Sequence, residues 1–204
     1  MTRRLQRAIH GGLVSLFCLA SAPVWALTVV NGGFETGNFS GWTQFGNVDA
    51  TGVDRLAPHA GTYAAYFGPS SLPAAGQASG GPGGISQALT TVAGANYTVD
   101  FWLKNEGGPG NAFSVSWSGR QIDASSLTDA PAFAYRHYRF SQTATASTTA
   151  LTFSFRQDPA FWNLDQVSVV PEPTSQALMA GGLLALLAAR HSRRAQRPPP
   201  GPMR

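Results

Sequence analysis

The chain has a single cysteine among its 204 residues, Cys18, and this residue lies in an apolar stretch near the N-terminus. The remainder of the chain therefore offers no disulfide, no thiol nucleophile and no cysteine-ligated metal site. Long apolar runs occur only at the two ends, and no long segment between them repeats with the 3.6-residue period of a helix. The region between the ends must therefore be stabilised by its own core.

Basic residues are scarce in the middle of the chain. The formal net charge of the whole sequence is +4, a sign that by itself favours a nucleic-acid partner. Residues 27–170, however, contain six basic and nine acidic side chains, which gives them a net charge of −3. The positive charge belongs to the two ends, so the sequence argues against nucleic-acid binding.

Residues that form familiar catalytic sites are also few. Between residues 27 and 170 the histidines are His59 and His137, with no His-x-x-x-His spacing for zinc. No Gly-x-Ser-x-Gly elbow occurs, and no local arrangement indicates the paired carboxylates of a glycosidase. We expect His137 to be a solvated strand residue rather than a catalytic base. We therefore predict no catalytic residues and no enzyme activity, with a glycoside hydrolase as the weakest alternative.

The N-terminal end is typical of a secretory signal peptide. A basic region with Arg3, Arg4 and Arg7 precedes an apolar segment at residues 12–22. Residues 24–26 then suit signal peptidase, with cleavage after Ala26. We predict a signal peptide helix over residues 1–26 and export of the remainder.

Residues 171–197 combine three features in a fixed order. Pro171 and Pro173 restrict the backbone around them, which ends the preceding strand and exposes Glu172. The apolar run at residues 177–189 has 13 residues, fewer than the about 20 that usually span a bilayer. A run this short suits a processed transmembrane helix better than a permanent anchor. The stop-transfer cluster that follows consists of Arg190, Arg193 and Arg194, with Arg197 beyond them.

This segment resembles the PEP-CTERM sorting signal of Gram-negative bacteria that export polysaccharide. Pro171, Glu172 and Pro173 match its signature, and the apolar run and arginines match the rest. The resemblance implies an exosortase, a membrane-embedded cysteine transpeptidase, as the partner. The chain would sit transiently in the inner membrane, be cut near the motif, and reach the cell surface or an exopolysaccharide matrix. A single-pass anchor is the alternative, and residues 198–204 are interpreted as a disordered tail.

Residues 27–170 have the composition of an all-β domain, with short runs of β-branched and aromatic residues between turn residues. In the run 97–104 the apolar side chains fall on one face and Trp102 falls on the other. In the run 163–170 we assign Asp165, Val167 and Val169 to one parity. Further strands are predicted at 112–117, 136–142 and 151–155, with weaker ones at 27–30, 62–67, 84–90 and 121–125. Many short antiparallel strands predict a single β-sandwich.

A second resemblance covers nearly this whole domain. The opening segment 31–42, the segments 59–65 and 84–89, and the closing segment 164–169 resemble galactose-binding-like jelly rolls, which include several families of carbohydrate-binding modules. The resemblance implies a jelly-roll β-sandwich over residues 27–170. It also implies a structural calcium ion between the first and last strands, with Glu35 and Asp165 at the matching positions. The alternative is that these two carboxylates are solvated or cap turns.

Tryptophans are the residues that favour a ligand. Sugars stack on exposed indole rings, and Trp102 and Trp162 are the best candidates for binding polysaccharide in this way. Core packing is the alternative for each of them, and we expect Trp42 to lie in the core. The sequence thus predicts an exported, non-catalytic, glycan-binding protein. A structural matrix protein or a membrane-anchored surface domain without a sugar ligand is the alternative.

Overall fold

The computed structural model of this protein describes residues 29–68, 82–157 and 160–172. In these ranges the chain forms β-strands and one short 3₁₀ helix, which confirms the all-β prediction. No helix within them is long and apolar enough to cross a membrane. The predicted signal peptide at 1–26, the apolar run at 177–189, the arginine cluster and the tail at 198–204 lie outside the described residues.

Two antiparallel sheets make up the described part of the chain. The strands are β1 (Thr43–Gly46), β2 (Thr51–Asp54), β3 (Ala64–Phe67), β4 (Gly83–Thr90), β5 (Asn96–Asn105), β6 (Ala112–Trp117), β7 (Arg120–Gln121), β8 (Leu127–Thr128), β9 (Phe133–Thr143), β10 (Thr148–Arg156) and β11 (Trp162–Pro171). Sheet A has the order β1-β4-β10-β6-β7, with β8 paired to β6, and sheet B has the order β2-β3-β11-β5-β9. The two sheets pack face to face as a β-sandwich, as predicted.

The core fills the space between the sheets. The inward side chains of β5 are at most 2% exposed, namely Tyr97, Val99, Phe101 and Leu103. Trp102 lies on the opposite side of the strand, as the alternation predicted. Aromatic rings join the two sheets, since Phe67 of sheet B stacks on Phe155 of sheet A with ring centroids 3.6 Å apart. Burial of such rings is a large part of what stabilises the sandwich.

The segment before β1 packs against the last strand. Trp42 is 7% exposed and stacks on Phe34 at 6.0 Å, so its predicted place in the core is confirmed. The Val167 N–H donates to the Gly32 carbonyl oxygen at 2.9 Å. A Cβ atom at Gly32 would overlap the Val167 carbonyl oxygen, so the close approach of these two backbones requires glycine.

The observed strands differ from the predicted ones in several places. Val29 and Val30 lie outside any strand, although a strand was predicted at 27–30. The predicted strand at 121–125 is replaced by the two-residue β7 and by the 3₁₀ helix Asp123–Ser125. Strands β1 and β2 were not predicted, because each has four residues and neither alternates between buried and exposed.

Strand β11 contains an irregularity that sets the direction of Asp165. Its pairing with β5 shifts by one residue after Asp165, and Gln166 adopts φ 51°, which together form a β-bulge. Asp165 therefore lies opposite Trp102 on the outward side, whereas Val167 and Val169 are buried in the core. The predicted shared parity of these three residues is wrong, because the inserted residue reverses the alternation.

Candidate functional site

Sheet B turns one side to the core and the other side outward. On the outward side, Tyr66 of β3 and Lys104 of β5 lie across from Asn163 of β11, and Trp102 lies across from His137 of β9. Side chains of opposed strand residues point to the same side of a sheet. We call these five residues the outer face.

Trp102 belongs to a row of stacked rings on this face. The His59 ring lies 3.8 Å from the Trp102 ring at an angle of 16°, and the His137 ring lies 4.9 Å away at 24°. Tyr135 meets the His59 ring edge to face at 5.1 Å. The row presents half-exposed aromatic surface, and His59 covers part of the Trp102 indole.

The neighbouring part of the outer face is polar. Asn163 is 5% exposed, and its Oδ1 has no hydrogen-bond partner among the described residues. On one side lies Lys104, whose Nζ is 3.1 Å from Glu106 Oε1. On the other side Tyr66 packs edge to face against Phe161 at 5.9 Å. A buried acceptor without a donor costs about 1–3 kcal/mol. Because this oxygen is buried, a hydroxyl group could pair with it only after the side chains that cover it move aside.

Asp100 supports the aromatic row from β5. Its carboxylate pairs with His137 Nε2 and accepts a hydrogen bond from Arg139 Nε at 2.7 Å. The His137 side chain is 38% exposed, in keeping with its predicted place as a solvated strand residue. Because both oxygens of the Asp100 carboxylate have partners, Asp100 holds the side chains of His137 and Arg139 in place.

Glu35 and Asp165 together hold the loop of residues 55–63 that connects β2 to β3. The N–H groups of His59 and Ala60 donate to Asp165 Oδ2 at 2.9 and 3.1 Å. Those of residues 62 and 63 donate to Glu35 Oε1 at 3.0 and 3.2 Å. The two carboxylates, which are distant in the chain, therefore fix one loop against the end of sheet B.

Burial perturbs two ionisable groups beside this loop. Burial raises the pKa of the Asp165 carboxyl, and the backbone N–H donors of Ala60, Gln166 and His59 oppose the rise. Burial and the nearby Asp165 charge also raise the pKa of Tyr135, whose hydroxyl donates to a carbonyl oxygen of the loop at 2.7 Å. Gln166 Oε1 lies 2.8 Å from His59 Nδ1, so the bulge residue helps to hold the ring that stacks on Trp102.

The same two carboxylates have the donor chemistry of the predicted calcium site. A Cβ atom at Gly33 would lie 3.7 Å from Glu35 Cγ and 4.0 Å from Asp165 Oδ1, so the stem of Glu35 and the carboxylate of Asp165 lie near this glycine, while the Glu35 carboxylate lies at Gly61. Calcium prefers oxygen ligands such as these carboxylates. Asp165 is 0% exposed, and among the described residues it forms no salt bridge. In the part of the chain that the structure describes, there is no group of three or more histidine, cysteine, aspartate or glutamate side chains that could hold a metal ion. A calcium ion here would depend on two carboxylates and backbone carbonyl oxygens.

Trp162, the second predicted sugar contact, lies in the core. It is 0% exposed, its ring is 5.7 Å from that of Phe113, and its Nε1 donates to the Arg156 carbonyl oxygen at 2.9 Å. Phe161, the residue before it, is half-buried and packs against Tyr66. The prediction of a ligand contact at Trp162 is therefore wrong, because neighbouring residues of a strand face opposite sides and Trp162 faces inward.

Pro171 and Glu172 open the predicted sorting motif. Strand β11 ends at Pro171, as the prolines predicted. Glu172 is half-buried rather than exposed, because its N–H donates to the Asn96 carbonyl oxygen at 2.9 Å and Thr98 Oγ1 donates to its Oε1 at 3.1 Å. Pro173, the third residue of the motif, lies outside the described residues.

Asn163, His59 and Gln166 were not predicted from the sequence to be parts of the site. Asn163 carried a weak signal, since it is a polar residue between the apolar Trp162 and Leu164 of a predicted strand. His59 and Gln166 carried none, because they are 107 residues apart in the chain and only the fold brings them together.

Comparison with known proteins identifies the C-terminal segment. Residues 169–194 match the family described as the PEP-CTERM protein-sorting motif, which confirms the resemblance drawn from Pro171, Glu172 and the segment after them. The motif indicates an exported protein that is anchored at the membrane before processing. Comparison with curated protein sequences gives no match.

Solved structures resemble the sandwich. The carbohydrate-binding module TmCBM61, in complex with β-1,4-galactotriose, is 22% identical with a TM-score of 0.56, and the match covers 72% of this chain and 99% of that one. The enzymatically active domain of bacteriophage CBA120 tailspike protein 4 is 18% identical with a TM-score of 0.51, over 72% of this chain and 21% of that one. The arabinose-bound α-L-arabinofuranosidase MgGH51 is 13% identical with a TM-score of 0.51, over 72% and 27%. These similarities show a shared jelly-roll sandwich fold.

The raised pKa of Asp165 predicts a specific dependence of stability on pH. A carboxyl group whose pKa is higher in the folded state contributes stability below its unfolded pKa and loses that contribution as the pH rises through the folded pKa. In a chelating buffer, the free energy of unfolding of the wild type minus that of Asp165→Asn should therefore fall as the pH rises from 3 toward 7. Urea denaturation at a series of pH values measures this difference.

The exposed Asp123 provides the control, because Asp123→Asn also removes one carboxylate and Asp123 lies away from the loop of residues 55–63. A wild-type advantage over Asp165→Asn that grows with pH would contradict the buried, charge-disfavouring environment assigned to Asp165.

Proposed function

We propose that this chain is an exported envelope protein that an exosortase processes at Pro171–Pro173, and that its sandwich is a non-catalytic glycan-binding module. Signal peptidase removes residues 1–26 during export. The apolar run at 177–189 then holds the chain in the inner membrane, with Arg190, Arg193 and Arg194 on the cytoplasmic side. After cleavage the sandwich works at the cell surface or in an exopolysaccharide matrix.

The match of residues 169–194 supports the sorting part of this proposal. The match includes the two described motif residues, Pro171 and Glu172, together with the apolar run and the first arginines. A run of 13 residues is short for a permanent anchor, since spanning a bilayer usually takes about 20. Removal of the tail by an enzyme agrees with the matched sorting motif and with the short apolar run.

The outer face carries the glycan-binding part of the proposal. A sugar ring has apolar C–H faces and a rim of hydroxyl groups, and the outer face offers partners for both. The row that includes Trp102 and His137, and the pair of Tyr66 with Phe161, supply aromatic surface. Between them, the buried Asn163 Oδ1 has no donor among the described residues, and a sugar hydroxyl would supply one once the side chains that cover it move aside. The single observation on which the proposal depends is this combination of flanking rings and an unpaired acceptor on one sheet face.

A binding role agrees better with the outer face than a hydrolytic one. Asp100 is paired with His137 and Arg139, and both oxygens of Asp165 accept backbone N–H bonds beneath the loop. Neither carboxylate is placed as the free acid or nucleophile of a glycosidase. The enzymes among the similar structures are much longer than the matched region, which is 21% and 27% of their chains.

The first test is the affinity of the outer face for sugars. We expect saturable binding of β-1,4-galactotriose, or of the polysaccharide extracted from the producing cells, in isothermal titration. Asn163→Leu removes the unpaired acceptor at similar volume and should weaken binding about fivefold, the equivalent of one hydrogen bond of about 1 kcal/mol. The same variant should keep or raise the thermal midpoint, because it also removes a buried unsatisfied group.

Thr152→Ala on the outward side of sheet A is the matched control and should leave the affinity unchanged. Trp102→Ala should also weaken binding, since it disrupts the aromatic row. If neither sugar binds, or if Asn163→Leu and Thr152→Ala bind equally well, the outer face is not a glycan site and a structural matrix role replaces it.

We further propose that calcium occupies the junction of Glu35 and Asp165. The ion would offset the buried charge of Asp165 and join the opening segment to β11, and its role is structural. Added calcium should stabilise the metal-depleted protein by about 2.7 kcal/mol at one hundred times the dissociation constant. Differential scanning calorimetry with and without calcium measures this effect.

Glu35→Gln should abolish most of the calcium response, whereas Glu106→Gln should retain it, because Glu106 pairs with Lys104 away from the junction. An equal thermal midpoint in calcium and in chelator for the wild type would refute the calcium site.

A further inference from the structure

The sorting motif begins inside the folded sandwich. The family match starts at residue 169, and β11 continues to Pro171. Val169 is 0% exposed and lies opposite Val99, and Pro171 lies opposite Tyr97. The first residues of the motif are thus part of the core strand rather than of a linker.

Glu172 extends this attachment past the end of the strand. Its N–H donates to the Asn96 carbonyl oxygen, and its carboxylate accepts a hydrogen bond from Thr98 Oγ1. Both bonds run to β5, which also pairs with the end of β11. We call residues 168–172 the motif head.

The motif head is attached on one side only. Strand β11 pairs with β3 over Trp162, Asn163 and Leu164, whereas its pairing with β5 continues to Pro171. Separating the motif head from the sandwich therefore breaks strand pairing with β5 alone, together with the core packing of Val169. Strand ends of this kind open locally more readily than the centre of a sheet.

Few residues separate Glu172 from the predicted membrane segment. Residues 173–176 separate Glu172 from the start of the apolar run at 177, and a chain of this length spans at most about 17 Å. A membrane-embedded enzyme must therefore bind the motif directly beside the folded sandwich. It cannot use a long flexible spacer to draw the motif away.

The end of the sandwich beside Glu172 is suited to such close approach. The loops at residues 91–95 and 144–147 lie at this end, joined by hydrogen bonds between Gly94 and Ala144 and between Thr91 and Ser147. Neither loop contains a charged residue, and Val92 is 67% exposed. The loops themselves thus present no charged side chain, although the exposed Arg120 and Asp123 line a pocket beside Thr145.

We propose that the sandwich controls its own processing, because the exosortase gains the motif head only when residues 168–172 separate from β5. The inference rests on the proposed exosortase processing. The N–H and the carboxylate of Glu172 cannot bind β5 and an enzyme cleft at once, so binding to the enzyme and completion of the sandwich compete. Processing is then fastest before the sandwich closes or during its local opening.

A disulfide across the β5–β11 pair tests this proposal. Thr98 and Val170 are directly opposed, and opposed strand residues have Cα separations of about 4.5–5.5 Å, which a disulfide can bridge. Cys18, the single native cysteine, lies in the predicted signal peptide, so Thr98→Cys with Val170→Cys gives one defined bond in the exported protein. Pulse-labelled cells that contain the enzyme then report the rate of tail removal, and intact mass reports whether the disulfide formed.

We expect the cross-linked protein to be processed several-fold more slowly than the wild type. Reductant should raise the rate to at least that of the wild type, because Thr98→Cys also removes the hydrogen bond to Glu172. The control is Ser86→Cys with Thr152→Cys, an opposed pair between β4 and β10 away from the motif head, which should be processed at the wild-type rate. Normal processing of protein whose Thr98–Val170 positions are shown to be cross-linked would overturn the proposal.

Thr98→Val provides a second test that needs no cross-link. It removes the hydrogen bond to Glu172 in a residue of similar shape, so it should speed processing, and an unchanged or slower rate would count against control by the sandwich. If the wild-type protein keeps its tail whether or not the enzyme is present, exosortase processing itself is wrong. A different result would be that the wild type is processed and the cross-linked form is processed equally fast. That result would contradict control by the sandwich and leave exosortase processing in place.

Discussion

The pairing of β11 with β5 is the interaction on which the other features depend. Before the bulge, the register directs Leu164 into the core and Asn163 to the outer face. At the bulge, Gln166 reverses the alternation and leaves Asp165 on the outward side beneath the loop of residues 55–63. After it, the strand returns its apolar residues to the core and continues into the sorting motif. One strand thus carries the polar centre of the outer face, a ligand of the proposed calcium ion and the start of the motif.

The loop of residues 55–63 converts this strand geometry into a surface. Asp165 and Glu35 bind neighbouring stretches of its backbone, and Gln166 contacts the His59 ring. His59 in turn stacks on Trp102, so the outer face is organised by contacts that begin at a buried carboxylate. Under the proposed function, a calcium ion at Asp165 would affect glycan binding without touching the sugar, since it would hold the loop that positions the rings.

The regular parts of the molecule could be predicted from the sequence because each position contributes to a local pattern. The alternation along β5 placed Phe101 inward and Trp102 outward, and the proline pair located the end of β11. The bulge could not be predicted, since one inserted residue leaves the composition of a strand unchanged while it reverses the side that Asp165 faces. Trp162 was misplaced for a related reason, because two adjacent aromatic residues fit either alternation.

The contacts that define the candidate site are almost all long-range. The bond from the His59 N–H to Asp165 spans 106 residues of sequence and that from Thr62 to Glu35 spans 27, so no local pattern reveals them. The sorting motif is different, since its order of prolines, apolar run and arginines is contiguous and could be recognised directly. What the sequence did not predict is that Glu172 is bound by the domain that precedes it.

The last strand of the sandwich continues into the sorting motif, and we propose that the segment after the motif is removed. The most direct measurement is the intact mass of the protein recovered from cells with the membrane-embedded transpeptidase and from matched cells without it. We predict a chain that begins at Leu27 and ends near Pro171–Pro173 in the first cells, and one that retains its C-terminal tail in the second. A mass that extends to Arg204 in both would contradict the account and leave a membrane-anchored surface domain in its place.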